Sequence, residues 1–240
     1  MNADASIDVT ETITVNSEGS QIRHGIFRDF PTTYTDKNGQ RVIVGFDVTG
    51  VKRDGREEPY TLEALSNGTR IRIGDKDVLL NTGEHRYDIT YRTTRQIGFF
   101  PTYDELYWNV TGNGWTLPID AARVKITLPI AARIVQHTEY TGAQGQAGSN
   151  ARVITASGNM YEAETTRRLA PDEGFTVAVS WQKGIVTPPS DSQKWNWWIS
   201  DNAGLFMLAL GLLVSGGYFL LAWFKVGRDP AKGTIIPLFS

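Results

Sequence analysis

The sequence contains no cysteine, which excludes disulfide bonds, thiolate metal sites and cysteine nucleophiles. It has only three histidines, His24, His85 and His137, and their spacing offers no paired zinc ligands. The net charge is −2 and the basic residues are scattered, so no basic patch marks a surface for DNA or RNA. We therefore expect no cofactor, no metal ion and no nucleic-acid partner.

The familiar motifs of catalysis and phosphate binding are also missing, among them Gly-x-Ser-x-Gly, His-Glu-x-x-His and the Walker loop. The adjacent acids Asp104 and Glu105 come nearest to a hydrolytic pair. Glycoside hydrolysis needs two carboxyl groups about 5 to 9.5 Å apart that flank one bond. On a strand, adjacent side chains leave opposite faces of the sheet, so these two acids could not act together. We predict a protein without catalytic activity of its own.

One long uncharged run, AGLFMLALGLLVSGGYFLLAWF at 203–224, stands out from an otherwise ordinary composition. A helix of this length measures about 33 Å, enough for a hydrocarbon core of roughly 30 Å. Trp195, Trp197 and Trp198 precede the run and Trp223 lies near its end, as aromatic belts do at membrane–water interfaces. We predict a single transmembrane helix with these four tryptophans at its interfaces.

The basic residues around this run predict its orientation. Lys225, Arg228 and Lys232 follow it closely, whereas Lys194 is the one nearby cation before it. Because cytoplasmic flanks carry the excess of lysine and arginine, the C-terminal tail should be cytoplasmic and the N-terminal domain extracytoplasmic. The start of the sequence has no basic and apolar signal segment, so we expect an export signal further upstream. These features indicate a bacterial cell-membrane protein.

Before the membrane run, apolar and polar residues alternate with a period of two, for example at 7–15, 42–48, 87–91 and 175–181. Such alternation is typical of half-buried strands, and Asn-Gly or Asp-Gly pairs between the runs are typical of tight turns. The chain is therefore predicted to be mainly β, an antiparallel β-sandwich ectodomain followed by one transmembrane helix.

The predicted organisation has four parts. They are an exported β-sandwich domain at 1–183, a linker and interfacial segment at 184–202, the transmembrane helix at 203–224, and a cytoplasmic tail at 225–240 that we expect to be truncated.

The most distinctive stretch is DELYWNVTGNGW at 104–115. Its Gly-Asn-Gly turn predicts a hairpin whose loop is 111–114 and whose two strands share one packing face. That predicted face consists of Leu106, Trp108, Val110, Trp115, Leu117 and Ile119. The opposite face would carry Glu105, Tyr107 and Asn109, and these three with Asp104 are candidate contacts for a partner. A solvated sheet face without a ligand is the alternative, and the irregular stretch 22–31 is a second candidate contact loop.

Three motifs, GEHRYDITY at 83–91, DELYWNVTGNGW at 104–115 and GRDP at 227–230, resemble the YciQ-like predicted membrane proteins of bacteria, a family of unknown function. The likeness extends over nearly the whole chain. It implies an exported β domain followed by membrane helices, and a gene neighbourhood shared with LemA-type proteins, which are thus candidate partners. The activity of the family is not established, so the resemblance assigns no catalytic residue.

The interpretation that these observations favour is a membrane-anchored envelope protein whose β-sandwich binds a protein or envelope partner. One alternative is an ectodomain that binds or processes carbohydrate or cell wall, using Asp104 or Glu105 with Tyr107. Another is the exported front domain of a multi-span transport or assembly component.

Overall fold

The computed structural model describes residues 1–35 and 39–227. The chain divides into a β unit, Met1–Pro189, and a C-terminal unit that begins at Ser190. The described strands all lie in the β unit, and the described α-helices lie in the C-terminal unit.

Strands make up most of the regular structure of the β unit. In chain order they are β1 (Ile7–Ser17), β2 (Ile26–Pro31), β3 (Thr33–Thr35), β4 (Arg41–Ile43), β5 (Phe46–Arg53), β6 (Arg56–Glu57), β7 (Tyr60–Leu65), β8 (Gly68–Ile73), β9 (Gly83–Thr93), β10 (Ile97–Phe99), β11 (Tyr103–Asn109), β12 (Arg123–Thr127), β13 (Ile134–Gly142), β14 (Ala151–Ser157), β15 (Met160–Thr165) and β16 (Gly174–Gln182).

Two antiparallel sheets enclose a first hydrophobic core. Their strand orders are β1-β9-β5-β6 and β2-β8-β7. On β9 the alternation seen in the sequence places Tyr87, Ile89 and Tyr91 inward, each at most 2% exposed. The facing sheet contributes Ile71 and Phe30 to the same core. We call these two sheets the first sandwich.

A second pair of antiparallel sheets encloses a separate core. Their strand orders are β10-β11-β16-β13 and β12-β15-β14. β16 supplies Phe175, Val177 and Trp181, and β15 supplies Tyr161, all fully buried. We call these sheets the second sandwich. The predicted antiparallel β-sandwich class is confirmed, but the sequence did not predict that the β unit holds two cores.

The two sandwiches share residues along a seam. Trp108 and Val9 pack against both cores. β1 also serves both, because Ile7 is buried in the second core while Ile13, further along the same strand, packs against the first. The seam therefore runs along β1 and the end of β11.

The hairpin predicted at 104–119 does not form. β11 pairs with β10 and β16, and within 115–119 the one bridge that the structure describes joins Ile119 to Leu169. The predicted side-chain parity of β11 is right, whereas the predicted partner strand is wrong. Period-two alternation fixes which face a side chain takes but carries no information on the neighbouring strand. β16, with its fully buried inner face, offers β11 a larger apolar partner than 115–119 could.

The C-terminal unit contains α1 (Asp191–Asp201) and α2 (Ala203–Val226). The sequence predicted a linker and interfacial segment over 184–202, and within that segment the structure forms α1, a helix that the sequence did not predict. Ser190 caps α1 by accepting a hydrogen bond from the Gln193 backbone N–H. The negative charge of Asp191 in the first turn stabilises α1 by interacting with the positive end of the helix dipole.

α2 has the length and composition to cross a membrane, with a mean hydropathy of 2.1 over its most apolar window. Its side chains are exposed within its own unit, as a surface that faces lipid would be. Lys225 lies in its last turn, and Arg228 and Lys232 of the predicted positive flank lie outside the described residues.

The predicted interfacial tryptophans lie on both helices. Trp195 and Trp198 of α1 stack with ring centroids 5.0 Å apart, and Trp197 belongs to the same helix. Trp223, near the end of α2, is exposed. Their amphipathic rings suit the headgroup region of a bilayer.

Candidate functional site

A cleft of about 1100 Å³ lies between the first and second sandwiches. From the first sandwich it is lined by residues 25–31, Asn67 and Arg70. From the second it is lined by the end of β11, the 111–117 loop, the end of β13 with its following loop, and the start of β16. The structure thus brings together two segments that were predicted separately as candidate contacts for a partner. They are DELYWNVTGNGW at 104–115 and the stretch 22–31.

The exposed wall of the second sandwich follows from strand parity. Tyr107 faces away from the core and is 59% exposed. Its neighbour across the strand pair is the small Ala178, and the next strand contributes Tyr140. Because Ala178 leaves room, the rings of Tyr107 and Tyr140 approach to 6.3 Å between centroids. The result is a pair of tyrosines on one side of the cleft.

The Gly-Asn-Gly turn, residues 112–114, forms one corner of the cleft. Hydrogen bonds to the Asn109 side chain fix its position. The Asn109 Oδ1 atom accepts hydrogen bonds from the Gly112 backbone at 3.1 Å and from Thr176 at 3.4 Å. Gly112 has a φ of +74°, a conformation that glycine adopts at little cost. A side chain at Gly174 would collide with Asn113, since its Cβ would lie 2.3 Å from Oδ1. The turn is therefore fixed against the start of β16.

A buried ion pair lies at the floor of the cleft. The Arg28 guanidinium is 6% exposed and binds Glu11 twice, from Nε at 2.7 Å and from Nη2 at 2.9 Å. Tyr91 donates a further hydrogen bond to Glu11 at 2.6 Å. Burial by itself would lower the pKa of Arg28, but the Glu11 carboxylate outweighs it, so the pKa is raised and the cation is retained. Burial and the same carboxylate raise the pKa of Tyr91.

A second ion pair lies at the rim. Arg70 binds Asp29 in a two-pronged arrangement, with distances of 2.7 and 2.8 Å. The hydrogen bonds from Arg70 hold the pKa of Asp29 below its usual value, so this carboxylate stays ionised near neutral pH. Arg70 also lies over the Phe27 ring, 5.1 Å from its centroid. Among the described residues that line the cleft, Asp29 is the only acid.

Of the four predicted contact residues, two line the cleft and two do not. Tyr107 and Asn109 line the cleft, whereas Glu105 is half-buried and accepts a hydrogen bond from Ser180 at 3.1 Å. Asp104 is 1% exposed and pairs with Lys183. Placing Asp104 among the accessible contacts was therefore wrong, because its parity puts it on the inner face of β11 with Trp108 and Leu106.

Sequence reasoning missed the cleft residues that come from other segments, chiefly Asn67, Tyr140 and Gln144. Nothing in their local sequence distinguishes them, since their role depends on how the two sandwiches pack. None of the described residues that line the cleft is a histidine. Among the residues that the structure describes, no group of three or more His, Asp or Glu side chains is arranged to hold a metal ion.

The fold and the apolar helix together define a membrane protein with a β-sandwich domain ahead of its membrane-spanning segment. The chain belongs to the family described as predicted membrane protein (DUF2207) N-terminal domain, whose model matches residues 1–181. It is also similar to the uncharacterized protein YciQ of Escherichia coli strain K12, with 29% identity over 198 residues. The match covers 82% of this chain but only 31% of YciQ. The resemblance noted from the three motifs is thereby confirmed.

Proposed function

We propose that this chain is a non-catalytic envelope protein, anchored in the membrane by α2, whose β unit lies outside the cytoplasm and binds a partner in the cleft. The observation that carries the proposal is the cleft itself, which gathers exposed aromatic and amide side chains from both sandwiches. Binding sites combine concave shape with a few well-placed polar groups in this way. The partner is an envelope protein or another envelope component, and the family resemblance makes a LemA-type protein the first to test.

The charges in the cleft support binding without catalysis. A general acid or base works best with a pKa near the working pH. The one acid among the described lining residues, Asp29, is held ionised by Arg70. Arg28 is committed to Glu11. Neither ion pair leaves a proton donor or acceptor poised for transfer.

The flanks of α2 support the proposed orientation. Lys225, Arg228 and Lys232 follow the apolar run, and Lys194 alone lies near its other end. By the positive-inside rule the end of α2 lies in the cytoplasm and the β unit on the opposite side.

The absence of natural cysteine allows a direct test of this orientation. Ile130→Cys places one thiol on a β-unit residue that is 94% exposed, and Val226→Cys places one at the cytoplasmic end of α2, where the residue is 87% exposed. In spheroplasts, a membrane-impermeant maleimide is expected to label the Ile130→Cys protein but to label the Val226→Cys protein only after permeabilisation. The reverse pattern would refute the proposed orientation.

Partner binding is tested by cross-linking the tagged full-length protein in native membranes. The wild type is expected to yield a reproducible cross-linked species that Tyr107→Ala abolishes, because Tyr107 is the most exposed ring at the cleft. Tyr60→Ala is the matched control, since Tyr60 is an exposed tyrosine on β7 outside the cleft. A cross-link pattern that both variants leave unchanged would exclude the cleft as the binding site.

A second candidate function is that of an exported front domain in a larger transport or assembly component. The observation that favours it is that the chain corresponds to only 31% of the length of YciQ.

A further inference from the structure

The polar lining of the cleft is mostly uncharged. Among the described lining residues, six carry carboxamide side chains: Gln21, Asn67, Asn109, Asn113, Gln144 and Gln146. Threonine hydroxyls add to them at 111, 116, 141 and 176. Amides and hydroxyls both donate and accept hydrogen bonds, so they match ligands whose own groups do both. Sugar hydroxyls and acetamido groups have this property, whereas phosphates and carboxylates only accept.

Aromatic rings complete the match. The paired rings of Tyr107 and Tyr140 line one side, and Trp115 lines the cleft with its indole fixed by a 2.9 Å hydrogen bond to the Thr111 carbonyl. Rigid, amphipathic rings bury much area at low entropic cost. The C–H face of a pyranose ring is a flat apolar surface that can stack on them, while its hydroxyl edge points to the amides.

The charged groups of the cleft disfavour an ionic ligand. An anion would have to compete with Glu11 for Arg28, in a site that is already bonded at 2.7 and 2.9 Å. It would also have to open the Asp29–Arg70 pair. Displacing Glu11 from its buried pair leaves an uncompensated charge, which is costly.

Size and shape favour a chain over a single small molecule. A volume of about 1100 Å³ exceeds the roughly 300–1000 Å³ of ordinary ligand pockets. A peptide is the competing polymer, and peptide sites usually supply apolar sockets for side chains. Here the apolar lining residues Ile22, Ile26 and Phe30 belong to the first core and are at most 7% exposed. Phe27 is 53% exposed, but Arg70 lies over its ring, so it forms a flat surface and not an apolar socket.

We propose that the cleft binds a neutral glycan chain. This inference rests on the proposed function of the cleft as a binding site and specifies the chemistry of its ligand. The stacking surface is Tyr107 with Tyr140, and Asn67 and Gln144 supply hydrogen bonds from opposite walls.

The test is isothermal titration calorimetry on the full-length protein in detergent micelles. The probes are the β-1,4 tetramers of N-acetylglucosamine and of glucose. At least one is expected to bind saturably, and Tyr107→Ala should weaken that binding by about tenfold or more, whereas Tyr60→Ala should leave it unchanged. Gln144→Ala should also weaken glycan binding. An acidic oligogalacturonate of equal length is expected not to bind.

Three results would overturn the inference. They are no saturable binding of either tetramer at millimolar concentration, equal effects of Tyr107→Ala and Tyr60→Ala, or tighter binding of a glycine-serine peptide at the same site. If neither tetramer binds but Tyr107→Ala still abolishes the cross-linked species in membranes, the glycan assignment fails and the proposed function stands. If Tyr107→Ala affects neither measurement, both fail.

Discussion

Replacing Glu11 by alanine is expected to reduce the free energy of unfolding of the β unit by about 3–5 kcal/mol, the usual cost of removing one partner from a buried ion pair. Glu11 accepts hydrogen bonds from Arg28 and from Tyr91. Its loss therefore leaves a buried cation and a buried hydroxyl without their hydrogen-bond acceptor. The measurement is urea unfolding of the full-length protein in detergent, followed by tryptophan fluorescence.

Two further variants make this result specific. Glu11→Gln keeps the size of the side chain and can still bond Tyr91, so it should cost less than Glu11→Ala but more than a surface change. Glu57→Ala removes a carboxylate that is 76% exposed and pairs with Lys52 at 3.4 Å. Exposed pairs of this kind contribute about 0–1 kcal/mol. Equal stability of the Glu11→Ala and Glu57→Ala proteins would contradict the buried pair.

Trp181→Ala is expected to have an effect of similar size in the second sandwich, about 3–5 kcal/mol, because it opens a large cavity in a close-packed core. Trp181 is fully buried and lies opposite Asp104 on the neighbouring strand. The same urea titration measures the loss.

Trp181→Phe is the informative comparison. The indole Nε1 atom is buried and has no hydrogen-bond partner among the residues described, and leaving such a donor unsatisfied costs about 1–3 kcal/mol. Phenylalanine removes that donor while it keeps most of the ring, so Trp181→Phe should cost less than half as much as Trp181→Ala. If the two substitutions reduce the free energy of unfolding equally, the indole N–H contributes to stability, and the cavity is not the main source of the loss.

The sequence predicted those parts of the fold that depend on local geometry. Alternation placed Tyr87, Ile89 and Tyr91 in a core and set Tyr107 and Asn109 on the outer face of β11, since successive strand residues point to opposite sides whatever lies beside them. The same alternation could not identify β16 as the partner of β11, because pairing between distant segments depends on the rest of the chain.

The missed helix has a different explanation. Alternating polar and aromatic residues over 191–201 show no clear apolar face, and the preceding Pro188-Pro189 suggested a stiff linker. The signal that marked the start of α1 was Ser190 followed by Asp191, a capping residue with an acid in the first turn. For the cleft, the outer residues of β11 were predictable, but their juxtaposition with Asn67 and with the 22–31 stretch required the packing of one sandwich on the other.

β1 was described above as a strand that belongs to both cores, and this has a consequence for folding. Ile7 is buried among residues of the second sandwich and Ile13 packs against the first. The amino group of Met1 also bonds the Thr127 carbonyl, far along the chain. Because β1 packs against both cores, we expect loss of one sandwich to expose apolar residues of the other, and the β unit to unfold in a single cooperative step.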